Sequence, residues 1–420
     1  MAINIDKSDR IIILILAANF MILLSSIFLS GAENGSFSLE QFEETSIMFL
    51  SDIVRNINIF EFVVENKRFP GVGEVEPNMP AHPPLYYFLL TPVIVFSNLI
   101  NQNVMLMLEL SSIIIFFIAS IIFWRVLKMI NKYVKKNNFV VYSFMIFTFL
   151  PTTLASSRLV TPDVLFFLLF TIFLYFFTKL IENKSKFYAL IIGIVLGMAF
   201  WTWLSVIPLL VALFIFIVIL HLLGEYKERN LLSLSLIIGV LVGGASLIRN
   251  LVVYGGDLIG NAAYSSVAQH PGTEISIILL RILSGYWGGI YGGVEELKLL
   301  MIIFIVILNL FFIYGFIIAF KSRSYNFKIF SVFSIIFFIV FSLFGIHHNC
   351  DVFKFLSTGG CYGWGTQGRY LIPLNPFIGI FASIGLISLE KINKKFKWLN
   401  YLFVFLISVL FAIDFLVAFR

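Results

Sequence analysis

Charge is what this chain has least of. Only 12% of its 420 residues are Asp, Glu, Lys or Arg, against 60% hydrophobic, and the mean hydropathy is +0.99. No soluble domain of this length has such a composition; long apolar runs with few charges read as membrane helices. Cysteine is scarcer still. Cys350 and Cys361 are the only two and share one loop, which leaves a single disulfide open. The glycine-rich stretch Gly285–Gly293 lacks the GxxxxGK pattern and follows no strand, so it is no nucleotide loop. There is no repeat of the kind that marks inverted-repeat transporters, and no low-complexity linker. No small-residue cleavage site follows the first apolar run, which is therefore read as a retained span. The net charge of +6 does not point to nucleic acid, because it comes from Lys and Arg in short loops.

Eleven apolar runs are present: 11–30, 104–130, 139–157, 163–181, 187–202, 204–223, 231–253, 297–320, 329–346, 369–390 and 399–418. Residues 84–100 are also apolar, and whether they cross decides the topology. If they do not, 19 of the 29 Lys and Arg fall on the side of the N-terminus. If they do, the basic clusters from Arg125 onward change sides. The positive-inside rule favours the first arrangement. Residues 84–100 are thus expected to be interfacial or re-entrant; Pro83, Pro84 and Pro92 fit a broken helix at the membrane edge. The expected fold is an all-α polytopic membrane protein. It has about eleven crossing helices, amphipathic and re-entrant segments in the first outer loop, a cytoplasmic N-terminus, and one integral domain spanning 1–420. Loops 31–103, 254–296 and 347–368 lie outside.

The first outer loop is long and acidic, with Glu33, Glu40, Glu43, Glu44, Asp52, Glu61, Glu65, Glu74 and Glu76 before His82-Pro83-Pro84. Ile53, Ile57, Phe60 and Val64 recur at helical spacing. They predict an amphipathic helix over 52–66, lying on the membrane surface and capped by Ser51. Asp52 then stands in its first turn, where the helix dipole alone would favour an acid. Thr161-Pro162-Asp163 reads as a helix start: Thr as cap, Pro next, an acid in the first turn. Arg158, Arg249 and Arg369 lie at outer span ends, where snorkelling to headgroups is the simple reading. Glu109 is an ionisable group inside a span, and such groups face a cavity or a partner.

Five pieces in order carry a resemblance. They are Asp52 followed by Lys67-Arg68-Phe69-Pro70; His82-Pro83-Pro84-Leu85-Tyr86-Tyr87; Ser157-Arg158 with Thr161-Pro162-Asp163; Arg249-Asn250 with Tyr254-Gly255; and Gln367-Gly368-Arg369-Tyr370-Leu371-Ile372-Pro373. Together they resemble the GT-C type polyprenyl-phosphate-dependent membrane glycosyltransferases, nearest the protein O-mannosyltransferase and aminoarabinose-transferase group. Relatives commonly carry Asp-Glu where this chain has Asp52-Ile53, and Arg where it has Glu109. The resemblance implies transfer of a sugar from a polyprenyl-phosphate donor to an acceptor on the extracytoplasmic face of, most simply, a prokaryotic plasma membrane. Asp52 would be the general base, and Asp163, the other catalytic residue, would orient its neighbourhood, the acceptor or a bound cation. His82, Glu109, Arg158, Arg249, Arg369 and Tyr370 would form the substrate site, with membrane lipids as further partners. A divalent cation is left open as cofactor. A lipid or solute transporter or flippase, or a non-catalytic binder of lipid-linked glycan, is the alternative.

Overall fold

The computed structural model describes residues 7–29, 47–70, 74, 83–158, 160–202, 206–253, 295–349, 368–393 and 395–418. Among these, every regular element is a helix. In chain order they are α1 (Lys7–Leu29), α2 (Ile47–Asn66), α3 (Leu85–Leu99), α4 (Val104–Val134), α5 (Asn137–Phe149), α6 (Pro151–Arg158), α7 (Pro162–Asn183), α8 (Lys186–Phe200), α9 (Val206–Leu222), α10 (Tyr226–Val253), α11 (Glu295–Phe320), α12 (Tyr325–Asn349), a 3-10 segment (Gly368–Leu374), α13 (Asn375–Ile392) and α14 (Phe396–Ala418).

The protein is a multi-pass membrane protein. Each of the eleven apolar runs appears as a helix or a broken helix. By length and composition, though, eight helices among the described residues can cross a bilayer alone, or nine if α5 and α6, bent by 64° at Leu150-Pro151, count as one span. The expected eleven crossings are not reached by that measure. The runs at 187–202 and 204–223 fold as shorter helices, of 15 and 17 residues. A helix needs about 20 residues to cross the hydrocarbon core at 1.5 Å per residue.

The two ends of the bundle differ in chemistry. At one end Lys128 pairs with Asp9 at 2.6 Å and Lys132 with Glu182 at 3.4 Å. Lys184 pairs there with Glu228, and the Tyr325 hydroxyl donates to the same carboxylate. These pairs join the start of α1, the ends of α4 and α7, and the starts of α10 and α12. The other end holds the motifs of the resemblance and is described below. Helix α3 keeps both of its termini at this second end. The Leu85 amide donates to the Trp201 carbonyl at the end of α8, and Ser97 Oγ donates to the Gln102 carbonyl just before α4. It is one continuous helix through Pro92, not a broken one.

The core lies around α7 and α13. The window Leu371–Glu390 is entirely buried, whereas that of α11 is only 17% buried and faces outward. Phenylalanine fills the space between α7, α12 and α13: Phe170 stacks on Phe337 at 4.9 Å, Phe177 meets Phe333 at 4.4 Å, and Phe337 meets Phe377 at 5.4 Å. Glycine sets the closest approaches. Gly193 and Gly197 on α8 face Ile238 and Val242, while Gly239 and Gly243 on α10 face Leu196 and Phe200. A Cβ at Gly193 would lie 2.6 Å from the Ile238 Cβ, so the two small-xxx-small stripes bring these backbones together.

Candidate active site

The helix carrying Asp52 begins at Ile47, five residues earlier than expected. Ser51 is therefore inside α2 and not at its N-cap position, and Asp52 stands in its second turn. The side chains of residues 47–55 lie outside the described residues. From Asn56 onward the buried face is Asn56, Ile59, Phe60 and Val63, rotated from the expected stripe of Ile53, Ile57, Phe60 and Val64. Phe60 packs on Tyr86 and Tyr87, with ring centroids at 5.7 and 5.1 Å. Asn56 is the polar member of that face. Its Nδ2 donates to the Val160 carbonyl at 2.8 Å, and its Oδ1 accepts from the Tyr87 hydroxyl at 2.6 Å. Burial pushes the Tyr86 hydroxyl well above the usual tyrosine range, so it stays protonated.

Val160 lies between the two charged positions of the next motif. Arg158, at the end of α6, does not snorkel. It is 4% exposed, donates to the Ser26 carbonyl at 2.7 Å, and pairs with Glu109 at 3.2 and 3.3 Å. Glu109, also 4% exposed, thus finds a partner as its position inside a span demands. Thr161 occupies the cap position of α7 and Pro162 the first turn, as the sequence predicts. Its hydroxyl, however, caps no backbone amide; it donates to Asp163 Oδ2 at 3.0 Å. That contact fixes the carboxylate of a buried acid at the head of α7.

The third side is α6 and the 3-10 segment. Asn375 Nδ2 donates to the Thr153 hydroxyl at 2.6 Å and to the Thr152 hydroxyl at 3.1 Å. A cavity of about 10 Å³, room for one water and not for a sugar, lies between Phe116, Thr153, Ser156, Ser157, Val164, Phe167 and Ile372. Ser156 Oγ is buried with no hydrogen-bond partner among the described residues. Arg369 and Tyr370 lie in this 3-10 segment, three and two residues before Ile372; their side chains lie outside the described residues. Arg249, near the end of α10, is half-buried. Its guanidinium lies 4.6 Å from the Phe69 ring centroid, and it donates to Asn250 Oδ1 at 3.1 Å. Phe69 meets Tyr87 at 5.4 Å, which links Arg249 to the same junction. Neighbouring Arg68 forks onto Glu74 at 2.7 and 2.6 Å, and that carboxylate holds its guanidinium above the ordinary range.

One end of the bundle therefore gathers Glu109, Arg158, Asp163, Arg249 and the backbones of Asp52, Arg369 and Tyr370. His82, Cys350, Cys361 and the glycine-rich stretch 285–293 lie outside the described residues. Among the described residues no three His, Cys, Asp or Glu side chains converge as a metal site. Asn56 and Tyr87 are members to which motif reasoning assigns no role, and Thr161 is one to which it assigns only a cap.

The family model of dolichyl-phosphate-mannose-protein mannosyltransferase matches residues 81–248, which spans His82, Glu109, Arg158 and Asp163 and stops one residue before Arg249. No curated protein matches the chain in sequence. The fold is similar to that of ArnT from Cupriavidus metallidurans, solved bound to undecaprenyl phosphate, with a TM-score of 0.53 and 12% identity over 88% of this chain and 71% of that one. It is similar also to the apo oligosaccharyltransferase of Archaeoglobus fulgidus, with a TM-score of 0.53 and 12% identity over 96% of this chain and 55% of that one. This chain thus spans about half the length of the archaeal protein. Residues 81–248 thus resemble the dolichyl-phosphate-mannose-protein mannosyltransferase family, and the helical architecture of the chain is shared with ArnT and the archaeal oligosaccharyltransferase.

Proposed function

We propose that the protein takes a sugar from a polyprenyl-phosphate carrier and transfers it to an acceptor hydroxyl on the extracytoplasmic side of the membrane. The observation that carries this reading is the convergence of the motif residues at one end of the bundle, opposite the end where Lys128, Lys132 and Lys184 are paired. By the positive-inside rule the lysine end is cytoplasmic and the motif end faces out. Undecaprenyl phosphate bound to ArnT, a protein of similar fold, supports the donor class.

The chemistry follows from what such a transfer needs. The acceptor oxygen attacks the anomeric carbon as the bond from that carbon to the phosphate oxygen breaks, and the configuration inverts. The acceptor proton passes to a carboxylate within reach, for which Asp52 is the residue. The lipid phosphate leaves with added negative charge, which Arg249 and Arg369 meet as guanidinium forks, aided by His82 and Tyr370. Asp163, fixed by Thr161, orients the acceptor or a bound cation. Arg158 is held by Glu109 and Ser26, so it scaffolds the site and leaves phosphate binding to the other two arginines.

Purified protein incubated with a prenyl-phosphate sugar tests the reading. Release of prenyl phosphate with sugar on an acceptor is the expected result, and Asp52→Asn should lower turnover by about 10²–10⁴, while the same change at Glu43 or Glu44 leaves it near wild type. Movement of the intact donor across vesicles without bond cleavage would instead establish a flippase. Tight donor binding with no turnover would establish a binder of lipid-linked glycan.

A further inference from the structure

We infer that Asn56 is a positioning residue that sets where Asp52 stands relative to Asp163. The inference rests on Asp52 as the base. Position 52 lies one helical turn before Asn56, so the two share a face of α2. Asn56 is 2% exposed, and both ends of its amide are engaged across long stretches of chain. Its Nδ2 donates at 2.8 Å to the Val160 carbonyl, a backbone group three residues before Asp163. Its Oδ1 accepts at 2.6 Å from the Tyr87 hydroxyl of α3. A surface helix has no need of an amide at its buried face, because the neighbours Ile59, Phe60 and Val63 already supply apolar packing. An amide does what packing cannot. It fixes the rotation and the depth of α2 through two directional bonds, one of them to the turn that leads into Asp163. A rigid helix then carries that geometry one turn back to Asp52. A reacting group displaced by about 1 Å can lose about 10²-fold in rate, so a two-bond anchor one turn away bears on catalysis without touching substrate.

The test uses the full-length protein in lipid nanodiscs with a prenyl-phosphate sugar donor, with rates expressed per donor-binding molecule. Asn56→Ala should lower kcat by about 10–100-fold while donor KM moves by less than about 3-fold, because the phosphate ligands lie on other elements. Tyr87→Phe keeps the ring against Phe60 and Phe69 and removes only the hydroxyl; it should lower kcat by about 3–10-fold. The double variant should be no slower than Asn56→Ala alone, since both act through one anchor. A purely structural role would reduce the donor-binding fraction and leave kcat per binding molecule unchanged. Wild-type kcat per binding molecule in whichever of these variants folds would overturn the inference. Asp52→Asn run in parallel separates the two claims. If it is inactive while the Asn56 and Tyr87 variants are at wild-type kcat, only the anchor fails; if it retains turnover, the base assignment fails first.

Discussion

A buried Arg158–Glu109 pair is a liability unless both partners are present. With each side chain about 4–5% exposed, removing one leaves an uncompensated charge in a medium that cannot solvate it. Breaking such a pair typically costs about 3–5 kcal/mol, whereas replacing both members by apolar groups of similar size is often near neutral. Glu109→Ala and Arg158→Ala should each destabilise by that amount in mild-detergent unfolding, and Glu109→Met with Arg158→Met should recover most of it. Arg369 calls for a different comparison. If it holds a phosphate through a planar fork, Arg369→Ala should weaken donor binding strongly and Arg369→Lys should restore only part, as isothermal binding to a prenyl-phosphate analogue would show. The sequence made Asp163, Arg158 and Glu109 visible, because a charge in an apolar chain stands out. It did not reveal that Arg158 and Glu109 face each other, which depends on α4 and α6 meeting across 49 positions. Asn56 is hidden in the sequence because an amide beside Arg55 reads by itself as a solvated face. The signal was available: Ile59, Phe60 and Val63 stand three, four and seven residues on, the spacing of a buried stripe that includes position 56.

Helices in a bilayer gain little from hydrophobic contact with one another, so close packing must come from shape. The facing glycines of α8 and α10 supply it. Gly243→Leu would drive a branched side chain into Phe200, whose ring and Cβ stand 2.6–2.7 Å from where a Cβ would be. Overpacking of this kind typically costs about 1–3 kcal/mol, to be read as a lower thermal inactivation temperature. Gly244→Leu, one residue on, where a Cβ meets nothing within 4 Å, should be tolerated. Helix positions were the part of the fold most open to sequence reading, since each apolar run is bounded by polar or basic residues. Boundaries were not: α2 starts at Ile47 because Ile47-Met48-Phe49-Leu50 extends the apolar stretch upstream of the periodic residues. The unbroken course of α3 through Pro92 was equally hidden. A proline costs a helix one hydrogen bond and a ring clash with the preceding turn, and packing elsewhere can carry that cost.

For the molecule as a whole, end-to-end polarity is the property most readily tested. Single cysteines introduced at positions 43 and 260 of a Cys350→Ser, Cys361→Ser background should label with a membrane-impermeant reagent from outside intact cells. Cysteines at Lys135, Lys184 and Lys395 should label only after permeabilisation. Outside labelling at position 135 would mean that the lysine end faces out and that the orientation proposed for the bundle is reversed. The burial of α13 has a consequence of another kind, in the order of synthesis. The chain emerges from the ribosome N-terminus first, and its only completely buried span among the described helices is the next to last. Until α13 arrives, its neighbours must wait with their mating surfaces turned to lipid: the Phe311 carbonyl that Gly385 will approach and the Ser143 carbonyl that Gly379 will approach. The segment bearing Arg369 enters with α13. A nascent chain therefore acquires its central helix and Arg369 in one late step, and earlier translation products are assembled around an empty axis.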